Sequence, residues 1–264
     1  MASALPCLPT QRKAWQDQEM VWTKEIKQGL SPIVDLVYPP RCPLCGQAVA
    51  AQGGLCLDCW SGIETPGEPA CSACQKPIAD SARGNGLCWQ CREEPPAHAG
   101  VLAATIYNDV SRQMVLAFKR GGKLALAGLL GQMMAQRIPD PKPHEEVLLV
   151  PVPLHRLRLW ERGFNQAALL ARELAHRGKG TLCVAALKRT KRTPSLGGLG
   201  QEARKRALKG AISVAPARRS AISGADVILV DDVLTSGATS SACVQALLEG
   251  GARRVRIACF ARVA

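Results

Sequence analysis

Residues Val227–Thr239 read VILVDDVLTSGAT, and this stretch decides the fold. Its first four residues are a continuous apolar run, which predicts a buried strand of a parallel sheet. Asp231 and Asp232 follow the run, at the carboxyl end where ligands of open α/β sheets bind. The small and hydroxyl-bearing residues from Thr235 onward then begin a helix, whose first amides attract phosphate. The pattern predicts a strand, a phosphate-binding loop and a helix.

The acid pair has a structural alternative, because Asp also caps turns and helices. Two adjacent carboxylates at the end of an apolar strand are costly, since each loses solvent and repels the other. A cation or sugar hydroxyls would offset that cost, so we favour a functional role for Asp231 and Asp232. The segment has no Walker A lysine, which excludes the phosphate loop of nucleoside triphosphatases.

Apolar runs alternate with helical patterns over residues 100–264, which predicts an α/β domain with a parallel sheet flanked by helices. The predicted strands are Val101–Tyr107, Glu146–Val152, Val227–Val230 and Arg254–Ala261. The predicted helices are Val110–Phe118, Lys123–Arg137, Phe164–His176 and Gly237–Glu249. The basic segment Lys188–Lys209 is too polar for a core, and we predict that it is a loop over the site.

Eight of the twelve cysteines form four Cys-x2-Cys pairs, and two such pairs supply the tetrahedron of thiolates that Zn²⁺ prefers. The predicted ligands are Cys42, Cys45, Cys56, Cys59, Cys71, Cys74, Cys88 and Cys91. Structural disulfides, scattered thiols and a redox pair are the alternatives, but four regular pairs favour two zinc sites. We expect the first four cysteines to share one ion and the last four the other, and the spacing leaves interleaving open.

Four thiolates close the coordination shell of each Zn²⁺, so the expected role of both ions is structural. The thiolates also make this module negative, which is the wrong sign for a surface that follows phosphates. Trp60 and Trp89, beside the cysteine pairs, are predicted to pack in a small core. A role of the module in binding nucleic acid or a partner protein stays open as the alternative.

We therefore expect three parts. Residues 1–37 are an N-terminal extension with a helix over Val21–Val37, residues 38–96 are a double zinc ribbon, and residues 100–264 are the α/β domain. Neither a segment of about 18 apolar residues nor a signal peptide is recognisable, which predicts a cytoplasmic protein without a membrane span. The net charge of +13 is uneven, at −2 for residues 1–96 and +15 for residues 97–264, and it favours polyanionic ligands.

The segment from the apolar strand through Asp231-Asp232 to Thr239 resembles the signature of type I phosphoribosyltransferases. A second block, Val150–Leu154 followed by Arg158-x3-Arg162-Gly-Phe-Asn-Gln166, is similar to the ComF/GntX family, in which a zinc ribbon precedes such a domain. The resemblance implies a type I phosphoribosyltransferase-like fold. It also implies binding of phosphoribosyl pyrophosphate or a related sugar phosphate with Mg²⁺, and an association with DNA uptake or processing.

The resemblance assigns roles to individual residues. Asp231 and Asp232 would hold the ribose hydroxyls, and Arg158 and Arg162 would meet the pyrophosphate through guanidinium forks suited to phosphate oxygens. The loop for the 5-phosphate would consist of Thr235, Ser236, Gly237, Ala238 and Thr239. Further candidates on the pyrophosphate side are Asn165, Gln166, Lys119, Lys188 and Arg189.

Several of these candidates have structural alternatives. For Asn165, capping a helix is an equally good interpretation. Phe164 is predicted to belong to the core. For Lys119, a solvent-exposed lysine without a ligand is an equally good interpretation. The basic loop departs from the family, because Thr193–Leu196 and Arg204–Ala207 lack the Gln and Asn that the family commonly has there. Two functions follow. One is a phosphoribosyltransferase with an unidentified acceptor, and the other is a non-catalytic scaffold that binds a phosphoribosyl ligand, nucleic acid or DNA-uptake proteins.

Overall fold

The computed structural model describes residues 38–78, 86–119, 126–154, 163–189 and 210–264. The chain divides into two compact units, one ending at Ser61 and the other beginning at Gly62. The helix predicted over Val21–Val37 lies outside the described residues. Because the division falls between Cys59 and Cys71, the second set of four cysteines belongs to the same unit as the α/β domain.

The first unit is described from residue 38 and is built around a tight turn. Cys42 donates its backbone N–H to Gln47 at 2.7 Å, and Gly46 donates to Cys42 at 2.9 Å. A short helix, α1 (Leu57–Ser61), carries the last cysteine of this part. Among residues 38–61 the buried hydrophobic side chains are Cys42 and Cys56, so the unit has almost no apolar core.

The second unit has alternating strands and helices, as predicted for residues 100–264. Its strands are β1 (Val101–Ile106), β2 (Val147–Pro151), β3 (Thr181–Leu182), β4 (Leu187–Arg189), β5 (Ile212–Val214), β6 (Asp226–Leu234) and β7 (Arg254–Arg262). Its helices are α2 (Trp89–Glu93), α3 (Asp109–Lys119), α4 (Leu126–Arg137), α5 (Gln166–His176), α6 (Arg219–Ile222) and α7 (Ala238–Glu249), with a 3-10 turn at Pro216–Arg218. None of the helices in the described ranges is long and apolar enough to cross a bilayer.

Five strands form one parallel sheet in the order β1-β7-β6-β2-β3. β6 lies between β7 and β2, where Val227 pairs with Val255 and with Leu148. All five residues of β2 and the first five of β6 are buried, which explains why these strands are almost uniformly apolar. The predicted parallel sheet flanked by helices is confirmed.

Two details of the sequence-based prediction are wrong. β6 does not stop at Val230 but continues through both acids to Leu234, hydrogen-bonded to β7. Lys188 and Arg189, which we assigned to a loop, lie in β4 and pair with β5 in a separate two-stranded antiparallel sheet. The remainder of the basic segment, residues 190–209, lies outside the described residues.

The contact between α4 and α5 depends on Gly131. A Cβ atom at this buried position would collide with the Cβ of Glu173 on α5. We expect Gly131→Ala to lower the free energy of unfolding by about 1–3 kcal/mol, because the two helices must separate. Gly128 of the same helix is the matched control, since an added Cβ there meets no described atom within 4 Å. Gly128→Ala should raise the stability by about 0.5–1 kcal/mol.

Urea unfolding of both variants measures this difference. Equal stability of the two variants would contradict the close approach of α4 and α5.

Candidate functional site

The acid pair lies within β6, with its side chains directed to different neighbours. Asp232 forms an ion pair with Lys119, the last residue of α3, at 2.9 Å between Oδ2 and Nζ. Asp231 accepts a hydrogen bond from the hydroxyl of Ser240 on α7 at 3.5 Å and another from the backbone N–H of Asp232 at 2.9 Å. This divergence follows from the alternation of side chains along a strand.

The carboxyl group of Asp231 is held in an unfavourable environment for its charge. Burial and the neighbouring charge of Asp232 raise the pKa of Asp231 to about 8, although the N–H of Asp232 and the ammonium of Lys119 act in the opposite direction. Lys119 is thus a cationic neighbour of the acid pair, paired directly with Asp232, and it offsets only part of the cost at Asp231. The carboxyl group of Asp231 thus resists ionisation. Such a group is expected where a bound ligand or cation stabilises the carboxylate.

The loop after β6 turns sharply into α7. Gly237 occupies the N-cap of α7 with φ at +76°, a left-handed conformation that strains residues with a Cβ. The first N–H groups of α7 have no acceptor within the helix and lie beside the hydroxyls of the loop. The loop and Asp231, but not Asp232, border a concavity of about 110 Å³. Its lining residues are Asp231, Val233, Thr235, Ser236, Gly237, Ala238, Thr239 and Ser240.

A concavity of this size is smaller than the roughly 300–1,000 Å³ of sites for whole organic ligands, and it suits a group as small as phosphate. All five predicted loop residues line it, together with Asp231. Ser240 is a further member that our sequence reasoning missed. The signal was present, because Ser240 directly continues the hydroxyl-rich run that ends at Thr239.

The other sequence-predicted residues stand at different places. Asn165 is the N-cap of α5, because its Oδ1 accepts from the N–H of Ala167 at 3.0 Å and its Nδ2 donates to Val152 at 3.1 Å. Gln166 is buried as the first residue of α5. The ring of Phe164 packs against Phe118 with centroids 6.3 Å apart.

The structure does not bring every candidate to the concavity at the start of α7. Lys119 contacts the acid pair, whereas Lys188 and Arg189 lie in the small antiparallel sheet. Arg158 and Arg162 lie outside the described residues. Their role at the pyrophosphate remains a prediction.

The eight predicted zinc ligands form two clusters, each with its four sulfur atoms within 4.8 Å of one another. The clusters are Cys42-Cys45-Cys56-Cys59 and Cys71-Cys74-Cys88-Cys91, so the predicted sequential grouping is confirmed. Four thiolates at this separation fit tetrahedral Zn²⁺ and leave no open position for a substrate. These are two zinc-binding sites, each formed by four cysteines.

The local backbone lowers the thiol pKa of one cysteine in each cluster, whereas burial raises the pKa of others, such as Cys59 and Cys91. Burial raises the pKa of Cys42, but hydrogen bonds from backbone N–H groups, led by that of Cys45, lower it to about 6. The same balance lowers the pKa of Cys71 to about 7, with the N–H of Cys88 as the largest favourable contribution. Low thiol pKa values suit metal ligands, because zinc binds the thiolate.

The expectation for the two tryptophans is wrong. Trp60 is 50% exposed and Trp89 is 70% exposed, so neither packs in a core. Tyr38 and Leu57, near the first cluster in sequence, are also exposed. Metal ligation replaces an apolar core in so small a module, which leaves its aromatic residues free to face solvent.

Comparison with known proteins identifies the same two parts. A family model described as a double zinc ribbon domain matches residues 33–92, and one described as a phosphoribosyl transferase domain matches residues 125–264. DNA utilization protein YhgH of Salmonella typhimurium is 31% identical over 234 residues, which cover 86% of this chain and 99% of that protein. Competence protein F of Haemophilus influenzae is 28% identical over 233 residues, covering 84% of this chain and 96% of that protein.

Competence protein ComFC of Bacillus subtilis is 28% identical over 148 residues, which cover 55% of this chain and 56% of that protein. The phosphoribosyl transferase model spans more than half of the chain and includes the acid pair, the loop and α7. The zinc ribbon model spans both cysteine clusters. The chain therefore belongs to the family in which a double zinc ribbon precedes a phosphoribosyltransferase domain, together with DNA utilization protein YhgH and competence proteins F and ComFC.

Proposed function

We propose that this protein binds phosphoribosyl pyrophosphate with Mg²⁺ and transfers the phosphoribosyl group to an acceptor. The observation that carries the proposal is the hydroxyl-lined concavity at the start of α7, which Asp231 lines and which Asp232 follows directly in β6. A carboxylate pair suits ribose hydroxyls, and the concavity suits the 5-phosphate of the same molecule. The phosphoribosyltransferase family model across this region supports the assignment.

In the proposed binding mode, Thr235, Ser236 and Thr239 donate their hydroxyls to the 5-phosphate. The first amides of α7 complete the cradle for its oxygens. Asp231 and Asp232 accept hydrogen bonds from the ribose hydroxyls, which replaces part of the solvent that Asp231 lacks. Mg²⁺, which prefers oxygen ligands, would neutralise charge on the pyrophosphate.

The proposed reaction breaks the bond between C1 of the ribose and the pyrophosphate oxygen, which leaves with the electron pair. The acceptor forms the new bond to C1. Positive charge develops on the ribose in between, and the carboxylates of Asp231 and Asp232 stabilise it. Arg158, Arg162 and Lys119 are the proposed cations for the leaving pyrophosphate, with Lys188 and Arg189 as further candidates.

We place this activity in DNA uptake or processing, with DNA or a DNA-uptake protein as the prospective partner. The support comes from the names of the relatives, which are a DNA utilization protein and two competence proteins. Eight thiols kept reduced for zinc suit a cytoplasmic location.

A second candidate function is a non-catalytic scaffold that binds a phosphoribosyl ligand or single-stranded nucleic acid. The exposed rings of Trp60 and Trp89 favour it, because bases stack on exposed aromatic side chains. Pyrophosphate release separates the two candidates, since the scaffold binds ligand without turnover. Loss of single-strand affinity in Trp60→Ala and Trp89→Ala would support the scaffold.

Calorimetric titration of the zinc-loaded chain with phosphoribosyl pyrophosphate and Mg²⁺ tests the proposal directly. We expect binding that weakens about tenfold in Thr239→Val, which removes one hydroxyl donor to phosphate while keeping the side-chain shape. Ser241→Ala is the matched control, because Ser241 lies on the same helix but does not line the concavity. Its affinity should equal that of the unaltered chain.

Two outcomes would count against the proposal. Absence of binding to the unaltered chain excludes both the transferase and the phosphoribosyl scaffold. Equal weakening by Thr239→Val and Ser241→Ala would show that the ligand does not occupy the cradle.

A further inference from the structure

Arg262 is a buried arginine that is neither a zinc ligand nor a lining residue of the concavity. It is the last residue of β7 and pairs with Ile106 of β1 and Leu234 of β6. Its side chain is only 5% exposed. A guanidinium buried to this extent has to be satisfied by several acceptors.

The acceptors of Arg262 belong to two different parts of the molecule. Its Nε donates to the backbone carbonyl of Cys74, a ligand of the second zinc cluster, at 3.0 Å. Its Nη1 donates to the carbonyls of Leu234 at 3.0 Å and Thr235 at 2.8 Å, where β6 enters the phosphate loop. A further bond joins Nη1 to Val263 at 2.9 Å. One rigid, planar group thus joins the loop to the turn at Cys71-x2-Cys74, which we call the second knuckle; the turn at Cys42-x2-Cys45 is the first knuckle.

The charges are also complementary. Zn²⁺ held by four thiolates carries two net negative charges, so the second cluster attracts a neighbouring cation. The filled zinc site therefore holds the guanidinium in place by charge as well as by the carbonyl of Cys74.

Gln75, which follows Cys74, makes a second contact between this turn and the sheet. Gln75 has φ at +56°, in the position where the first knuckle has Gly46 with φ at +81°. Such a conformation is unfavourable for a residue other than glycine. The side chain of Gln75 compensates, because its Oε1 accepts the N–H of Ala103 on β1 at 2.9 Å. The second knuckle is thereby fastened to the edge strand that flanks Arg262.

We propose that Arg262 is a positioning residue that couples the second zinc site to the phosphate loop. Zinc at Cys71, Cys74, Cys88 and Cys91 fixes the Cys74 carbonyl, Arg262 transmits that position, and the carbonyls of Leu234 and Thr235 are held where the loop can receive phosphate. The identity of the loop's ligand rests on the function proposed above, whereas the coupling itself does not require a ligand.

Amide hydrogen exchange of the full-length, ligand-free chain tests the coupling. The readout is residues 231–241 together with the N–H of Val263, which donates to the carbonyl of Leu234. Cys88→Ser, which removes the second zinc ion, should accelerate exchange there about tenfold. Cys59→Ser is the matched control, since it removes one zinc ion from the other cluster, and exchange at 231–241 should stay unchanged.

Arg262→Lys tests the same coupling without touching a zinc ligand. Lysine keeps the positive charge near the zinc site but lacks the planar fork that reaches Cys74 and the loop together. We expect it to retain two zinc ions, to accelerate exchange at 231–241 and to weaken binding of phosphoribosyl pyrophosphate about tenfold. Arg253→Lys, at the residue that precedes the opposite end of β7, is the control for loss of a guanidinium and should leave exchange at 231–241 unchanged.

Normal exchange at 231–241 in Cys88→Ser that has lost one zinc ion would overturn the proposal. So would normal exchange in Arg262→Lys. Failure of the unaltered chain to bind phosphoribosyl pyrophosphate would instead refute the proposed function and leave the exchange result standing.

Discussion

Replacing Asp231 with Asn is expected to stabilise the ligand-free protein at pH 8 while strongly weakening its binding of phosphoribosyl pyrophosphate. Burial and the charge of Asp232 raise the pKa of Asp231 to about 8, far above the usual value of about 4. The folded state therefore holds the proton more tightly than the unfolded state. This stabilisation is complete below about pH 4 and is lost as the pH rises through about 8.

An uncharged Asn removes this pH dependence. At pH 8 the free energy of unfolding should rise by on the order of 3 kcal/mol, whereas at pH 4 the substitution should have little effect. Binding should fall by a factor of about 100 or more, because an amide is a poorer partner than a carboxylate for hydroxyls and Mg²⁺. Urea unfolding across this pH range measures the first effect, and calorimetry measures the second.

Asp226→Asn is the matched control with the opposite sign. Asp226 is buried at the start of β6, and its bond from Arg253, with help from Arg254, lowers its pKa to about 2. Its stabilisation is present above about pH 4 and is lost as the pH falls through about 2. Asp226→Asn should therefore destabilise the protein by about 2 kcal/mol at pH 8. Destabilisation by both substitutions at pH 8 would contradict the prediction, because it would show that the folded state does not disfavour the ionised form of Asp231.

The sheet was predictable because its signals are local. The apolar runs of β2, β6 and β7 exceed what a half-exposed strand contains, and β2 and β6 are each followed by a pattern or cap typical of the next helix. Asn165 illustrates the cap, since its side chain accepts the N–H of Ala167 at the start of α5. Regular Cys-x2-Cys spacing predicted both zinc clusters for the same reason.

The errors arise where distant residues decide the structure. Charged residues normally end a buried strand, but Lys119 offsets the charge at Asp232 and lets β6 continue to Leu234. Lys119 is more than a hundred positions away in the chain. The three-residue strands β4 and β5 carry too short a pattern to recognise, which is why Lys188 was assigned to a loop.

Arg262 escaped prediction for a related reason. From the sequence alone, an arginine at the end of an apolar strand is expected at the surface. Its carbonyl acceptors at Cys74 and Leu234 belong to other parts of the chain, so the sequence near Arg262 does not reveal them. The two zinc ribbons likewise look equivalent in sequence. Only the folded structure shows that the second zinc ribbon is hydrogen-bonded to the α/β domain, through Gln75 and the carbonyl of Cys74.

Removing both zinc ions is expected to unfold residues 38–61 while the five-stranded sheet persists. The first unit has only Cys42 and Cys56 as buried hydrophobic residues in its described part, so metal binding supplies nearly all of its stability. Structural zinc contributes roughly 10 kcal/mol or more to such modules. The sheet has its own core of buried strands and helices, which needs no metal.

Alkylation of thiols by iodoacetamide, followed by mass spectrometry, distinguishes the two regions after chelation. The eight ligand cysteines should react once zinc is removed. Cys243 and Cys259 should stay unmodified, because both are completely buried and burial raises their thiol pKa, to about 12 for Cys259. Re-addition of Zn²⁺ before the reagent is the control, and it should protect the ligand cysteines again.

The buried thiols also decide how far the zinc-dependent structure extends. Cys243 lies on α7, whose first turn follows the loop of residues 235–237, and Cys259 lies on β7 three residues before Arg262. If chelation loosens only the loop, both remain protected while exchange at 231–241 accelerates. Modification of Cys259 at a rate close to that of the ligand cysteines would contradict the prediction, because it requires the centre of the sheet to open when zinc leaves.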